Sequence, residues 1–181
     1  MNEKISGNLI IIGGAEDKRG KKEILKKVAE YINTKEDKML IATIATEYPE
    51  KTYDDYKNVF IKLGIKNIDK LDISKREDAF NDKNINLIKT TNLLFFTGGD
   101  QLRITSMIGG TPIYNVIKEL CSNGGVIAGT SAGASVMSDT MIVEGEDDES
   151  PHKCTLKMSP GLGLVKNIII DQHFAQRGRV G

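Results

Sequence analysis

The sequence predicts an α/β fold, a doubly wound and mostly parallel sheet with helices on both faces. Three observations carry this. Short apolar runs such as Leu9-Ile10-Ile11-Ile12 and Leu93-Leu94-Phe95-Phe96 are continuous rather than alternating, as strands covered on both faces are. Segments with helical spacing separate them, and parallel strands need such crossovers. The apolar runs also end in glycine or polar clusters, and α/β sheets gather ligands at the carboxyl ends of their strands.

In chain order, the first strand is expected from Asn8 to Gly14, closed by Gly13-Gly14. Ala15-Glu16-Asp17 leads into a helix from Lys21 to Ile32, with Ile24, Leu25, Val28 and Ile32 in helical register. A glycine pair before a helix invites a phosphate-loop reading, but neither G-x-G-x-x-G nor a Walker lysine pattern is present. A second strand runs from Met39 to Thr46. Pro49 then opens a helix to about Leu63, with Tyr53, Tyr56, Val59, Phe60 and Leu63 inward. Ile65 to Ile73 reads as a strand joined to a short, solvated helix near Lys75 to Phe80. The Leu93 to Phe96 strand ends in Thr97-Gly98-Gly99-Asp100-Gln101, a glycine turn entering a helix. Gly109-Gly110-Thr111 interrupts that helix, and Pro112 suits the first turn of its continuation, Ile113 to Cys121. A last strand is expected from Asn167 to Ile170, ending in Asp171-Gln172-His173-Phe174.

Composition narrows the function classes. Lysine plus arginine and aspartate plus glutamate number 25 each, so no overall field draws nucleic acid or an anionic membrane. No signal pattern and no membrane-length apolar run is visible, and the expectation is a cytoplasmic protein with neither partner. The two cysteines, Cys121 and Cys154, lack a metal-ligand spacing and read as reduced structural thiols. No metal and no cofactor is expected. Without a repeat or a low-complexity linker, residues 1–181 read as one domain.

The chemistry concentrates in Val126 to Ala134. Gly124-Gly125 breaks the preceding helix, Val126-Ile127-Ala128 suits a buried strand, and helical spacing restarts from Ala132 to Met137. Between them lies G-x-S-x-G, Gly129 to Gly133, in the strand-turn-helix context of a nucleophile elbow. A serine on so tight a turn needs small neighbours, and its hydroxyl points outward. The following helix aims free N–H groups and its positive end at a forming oxyanion, with Ala132 N–H the natural first donor. The plainer alternative is a glycine-flanked serine that only makes a turn. A serine nucleophile needs a base, and the chain has two histidines. His152 lies in a loop after the acidic run Glu144 to Glu149, whereas His173 sits at a predicted strand end, where catalytic geometry is better held. The acidic run reads either as a solvated loop or as an attractor of basic substrate groups.

Together, Thr97-Gly98-Gly99-Asp100-Gln101, Gly129-Thr130-Ser131-Ala132-Gly133-Ala134 and Asp171-Gln172-His173-Phe174 with Arg177-Gly178-Arg179 resemble the cyanophycinase-type serine exopeptidases of peptidase family S51. The resemblance spans nearly the whole chain. It implies a fold like that of class I glutamine amidotransferases, in the flavodoxin-like class, and a Ser-His-Glu triad. By that resemblance Ser131 is the nucleophile and His173 the base, and the Gly99 and Ala132 N–H groups form the oxyanion hole. Gln101, Asp171, Gln172 and Arg177 would hold a β-linked aspartyl unit. The implied substrate is cyanophycin, a polyaspartate whose side-chain carboxyls carry arginine, cut from the chain end to β-Asp-Arg dipeptides, or else a β-aspartyl peptide. Arg177 could grip a terminal carboxylate by two N–H bonds and Asp171 a free amino group, or the two could simply pair with each other.

One departure stands out. The family order is Ser, His, Glu, and this sequence stops at Gly181, before a triad glutamate after His173. The expectation is a domain lacking its C-terminal part, with Glu144 or Glu146 as the alternative acid in the order Ser, acid, His. A shortened sheet would leave an edge or face uncovered, from which a homodimer is a reasonable expectation. Two rivals stay open, an α-aspartyl dipeptidase on the same fold and a non-catalytic binding member of it.

Overall fold

A computed structural model describes residues 7–144 and 157–173. Five parallel strands form the main sheet: β1 (Asn8–Ile12), β2 (Lys38–Ala42), β3 (Asn67–Leu71), β4 (Leu93–Phe96) and β5 (Val126–Thr130). Their spatial order is β1-β5-β4-β2-β3. Among the described strands β1 lies at an edge, whereas the flavodoxin order keeps the first strand inside.

Alternate side chains of the three inner strands enter two separate cores, which is why their sequences are apolar throughout. Met39, Ile41, Leu93, Phe95, Val126 and Ala128 face one side, where Leu25 and Val28 of α1 (Glu23–Ala29) and Tyr56, Val59 and Phe60 of α2 (Pro49–Lys62) cover them. Leu40, Ala42, Leu94, Phe96 and Ile127 face the other. Four helices lie there: α3 (Asp82–Lys89), α4 (Gln101–Ile108), α5 (Pro112–Ser122) and the single turn α6 (Ala132–Ser135). Cys121 is buried on the inner face of α5 as a free thiol, and burial raises its pKa. Cys154 falls outside the described residues. No described helix is long and apolar enough to cross a membrane.

Two expectations are corrected, and two further elements appear. Ile11 is 46% exposed, because among the described residues β1 has one neighbouring strand and its cover is incomplete. Residues 82–89 form α3, which the sequence reading leaves out. Ile85, Leu87 and Ile88 all turn toward the core, but an eight-residue helix depends on packing, here against α5, with Asn81 accepting the Lys83 N–H as its cap. Residues 167–170 are not a strand: Ile168 and Ile169 are exposed, and only Ile170 turns inward. Instead a two-stranded antiparallel ribbon, β6 (Thr140–Glu144) with β7 (Lys157–Pro160), follows α6.

Candidate active site

Ser131 occupies the turn between β5 and α6 with φ 53° and ψ −116°, a conformation an L-residue adopts only when its surroundings impose it. The flanking glycines explain how the turn closes. A Cβ on Gly129 would strike the carbonyl oxygen of Gly133, and one on Gly133 would strike the backbone of Phe96. Ser131 N–H donates to Ile12 O at 2.9 Å, so the end of β1 holds the elbow from the side.

His173 is brought to the same place by a different route. Its backbone N–H donates to Gly13 O at 2.9 Å, and its ring lies directly on Gly14. A Cβ there would approach the ring carbon Cε1 to 2.5 Å, and Gly14 has φ 114°, so the position excludes a side chain twice over. His173 itself has φ 52°. The result is an Oγ to Nε2 separation of 2.9 Å between Ser131 and His173, within proton-transfer reach. The glycine pair that resembles a phosphate loop is thus the floor under an imidazole.

Beneath the elbow lies a group that the sequence reading passes over. Glu16 is buried, and its two carboxylate oxygens accept from different elements: Oε2 from the Thr130 hydroxyl at 2.5 Å, Oε1 from the Tyr56 phenol. Burial raises the Tyr56 pKa far above its ordinary value, and the charge and hydrogen bond of Glu16 push the same way, so the phenol stays a donor. Tyr56 is held in turn by Phe95, ring centroids 5.0 Å apart. The Lys18 ammonium sits 4.1 Å above the Tyr56 ring and 3.9 Å from Glu16 Oε1. A cavity of about 250 Å³ opens here, lined by Glu16, Lys18, Thr52, Tyr56, Gly98 and Ser131 among others. The available signal in the sequence was the position of Ala15-Glu16-Asp17 at a strand end.

On the opposite side, Gln101 and Gln172 are both buried. Gln101 Nε2 donates to Ile142 O of β6 at 2.9 Å, Gln172 Nε2 donates to Gln101 Oε1 at 3.3 Å, and Ser131 Oγ donates to Gln172 Oε1 at 2.5 Å. Gly99 lies in the turn whose Asp100 N–H donates to Ala45 O at 2.9 Å, and Gly98 packs on Ser131, where an added Cβ would stand 3.2 Å from the serine Cβ. Ala132 is fully buried at the start of α6. Asp171 is half-buried beside Gln172. Arg177, His152, Glu146 and the rest of the acidic run after Glu144 lie outside the described residues, as does any pairing of Arg177 with Asp171. Among the described residues no cluster of His, Cys, Asp and Glu suits a metal ion.

The chain matches the model of peptidase family S51 over residues 9–180. It is 34% identical over 181 residues to a cyanophycinase of Geminocystis herdmanii, covering 99% of this chain and 66% of that protein. It is likewise 34% identical over 174 residues to a cyanophycinase of Trichormus variabilis, covering 96% of this chain and 58% of the relative. Among solved structures, the crystal structure of a peptidase from an acI-B1 Actinobacterium superposes with a TM-score of 0.71 at 28% identity, covering 94% of this chain and 69% of that one. This chain therefore spans between 58% and 66% of the length of those two curated relatives.

Proposed function

This chain belongs to peptidase family S51, and from that premise we propose that it carries the catalytic half of a serine exopeptidase acting on cyanophycin or β-aspartyl peptides. The observation that supports it most is the 2.9 Å approach of Ser131 Oγ to His173 Nε2 at the carboxyl ends of adjacent strands, where ligands gather in this fold class. In this reading Ser131 attacks the scissile carbonyl, and His173 takes its proton and returns it to the leaving amine. The N–H groups of Gly99 and Ala132 receive the developing oxyanion, because the first turn of a helix has N–H groups without intrahelical partners. Gln101, Gln172, Asp171 and Arg177 hold the terminal unit. The carboxylate that orients His173 belongs, in this reading, to chain outside the described residues.

Incubation with cyanophycin and with an α-aspartyl dipeptide, followed by mass analysis, tests the reading. Release of β-Asp-Arg from the polymer is expected. Cleavage of the α-aspartyl dipeptide alone would turn the assignment to the dipeptidase, and neither product would leave a binding protein. Arg177 adds a finer test, since lysine cannot reproduce a two-pronged grip on a carboxylate. Arg177→Lys should weaken capture of the terminal unit by about 1.5–3 kcal/mol, read as kcat/KM on a β-Asp-Arg oligomer. A lowered melting temperature with unchanged kinetics would instead mark Arg177 as a structural ion.

A further inference from the structure

The row Ile142, Gln101, Gln172, Ser131 has a direction that a change of amide orientation cannot reverse. A backbone carbonyl only accepts, so Gln101 must turn its NH₂ toward Ile142 O, 2.9 Å away. That leaves Gln101 Oε1 facing Gln172, which must present its own NH₂ across 3.3 Å. Gln172 Oε1 is then left facing Ser131, and two acceptors 2.5 Å apart need a proton between them. Only the serine hydroxyl can supply it. Gln101 is 6% exposed and Gln172 3%, so a flipped amide would set oxygen against oxygen with little water to relieve it.

A hydroxyl has one proton. If Ser131 gives it to Gln172, the ring nitrogen of His173 2.9 Å away meets Oγ as a donor, the reverse of what a general base requires. We infer that Gln172, polarised through Gln101 by the Ile142 carbonyl, withholds the Ser131 proton from His173 until a substrate N–H takes over the Gln172 oxygen. The fitting ligand group is an ammonium or amide N–H placed beside Ser131. Once it donates to Gln172 Oε1, that oxygen no longer competes for the hydroxyl, and Oγ–H turns to Nε2. The two glutamines thereby make nucleophile activation conditional on the right substrate group, a specificity device rather than a simple grip.

The inference rests on Ser131 being the nucleophile proposed above, and the experiment separates the two. The probe is a small activated fluorophosphonate, which phosphonylates a reactive serine without offering an N–H to Gln172. Its rate on Ser131 is read by intact mass and peptide mapping, alongside turnover of a β-Asp-Arg oligomer. Gln172→Leu removes the competing acceptor, and Gln101→Met, one residue further from the serine, frees Gln172 to turn. Phosphonylation should become about tenfold faster in Gln172→Leu and several-fold faster in Gln101→Met, the scale of one hydrogen bond, while peptide turnover falls in both. A merely structural role predicts that both rates fall together. If Ser131 is labelled in the wild type and no faster in either variant, the relay is wrong and the nucleophile stands. If Ser131 is labelled neither in the wild type nor in either variant, the nucleophile reading fails and the relay with it.

Discussion

The two flanks of Ser131 hold it by different means. Toward β1 the contacts come mainly from backbone and from one buried carboxylate: Ile12 O on the Ser131 amide, Gly13 O on the His173 amide, Gly14 under the imidazole, Glu16 on the Thr130 hydroxyl. Toward the β6–β7 ribbon they come from two side-chain amides in series. The β1 flank cannot move without moving the sheet, since Ile12 and Thr130 are register partners in neighbouring strands. An amide side chain, by contrast, can exchange partners at the cost of about one hydrogen bond. The rigid flank sets where Ser131 and His173 stand, and under the proposed relay the adaptable flank sets where the serine proton points.

The largest expected effect belongs to neither flank but to what they hold. Ser131→Ala should lower turnover by about 10⁴-fold or more with the fold retained, at a stability cost of no more than about 1–3 kcal/mol from the buried Gln172 oxygen left without its donor. Retained turnover would dissolve the comparison, leaving two sides of an inert turn. On the rigid flank, Gly14→Ala forces a methyl against the His173 ring at a φ of 114°. A shift of about 1 Å in the base should cost about 10²-fold in kcat, and the strained backbone about 1–3 kcal/mol of stability. Equal kinetics in this variant would show that the imidazole is not held from below.

Thr130→Val probes the same flank more gently. Valine keeps the shape of threonine but takes a hydroxyl donor from the buried Glu16, and denaturant unfolding should show a loss of about 1.5–3 kcal/mol. If stability falls and kcat does not, Glu16 supports the sheet edge without tuning the elbow.

The smallest effect is a pH response at the far end of the β1 segment. Asp17 accepts the amides of Gly20, Lys22 and Arg19, which together lower its pKa from 3.8 to about 2. A carboxylate depressed on folding stabilises above its unfolded value and loses that contribution as pH falls through the folded one. The turn from Asp17 to Lys22 should therefore stay closed above about pH 4 and loosen toward pH 2. Amide exchange at Arg19, Gly20 and Lys22 reads this locally. Protection that persists unchanged to pH 2 would show that the aspartate is not the cap.

Much of this molecule could be read before it was folded. Continuous apolar runs identify β2, β4 and β5 because a strand covered on both faces has no polar side to show. Gly129-Thr130-Ser131-Ala132-Gly133 specifies its own elbow, since the close passage of Gly129 against Gly133 tolerates no larger pair. Elements without a local signature were not legible. Helix α3 exists through its packing on α5, and Asn167 to Ile170 carries a strand composition yet pairs with no strand among the described residues, because ladders are made by partners and not by propensity. The acid under the elbow was equally hidden, since nothing near Glu16 in the chain announces Thr130, which is 114 residues away.

The sequence by itself determined the chemistry on offer: one serine in a turn that accepts nothing larger at its flanks, two histidines to serve it, and the α/β class that collects such turns at one edge. Tertiary structure decided which groups meet. It laid His173 on Gly14, buried Glu16 against two hydroxyls from different elements, and terminated two glutamines on a carbonyl of β6. The reason is physical. A side chain's identity fixes which protons it can give or take, but only burial away from water makes the choice of partner matter, and burial is a property of the folded chain.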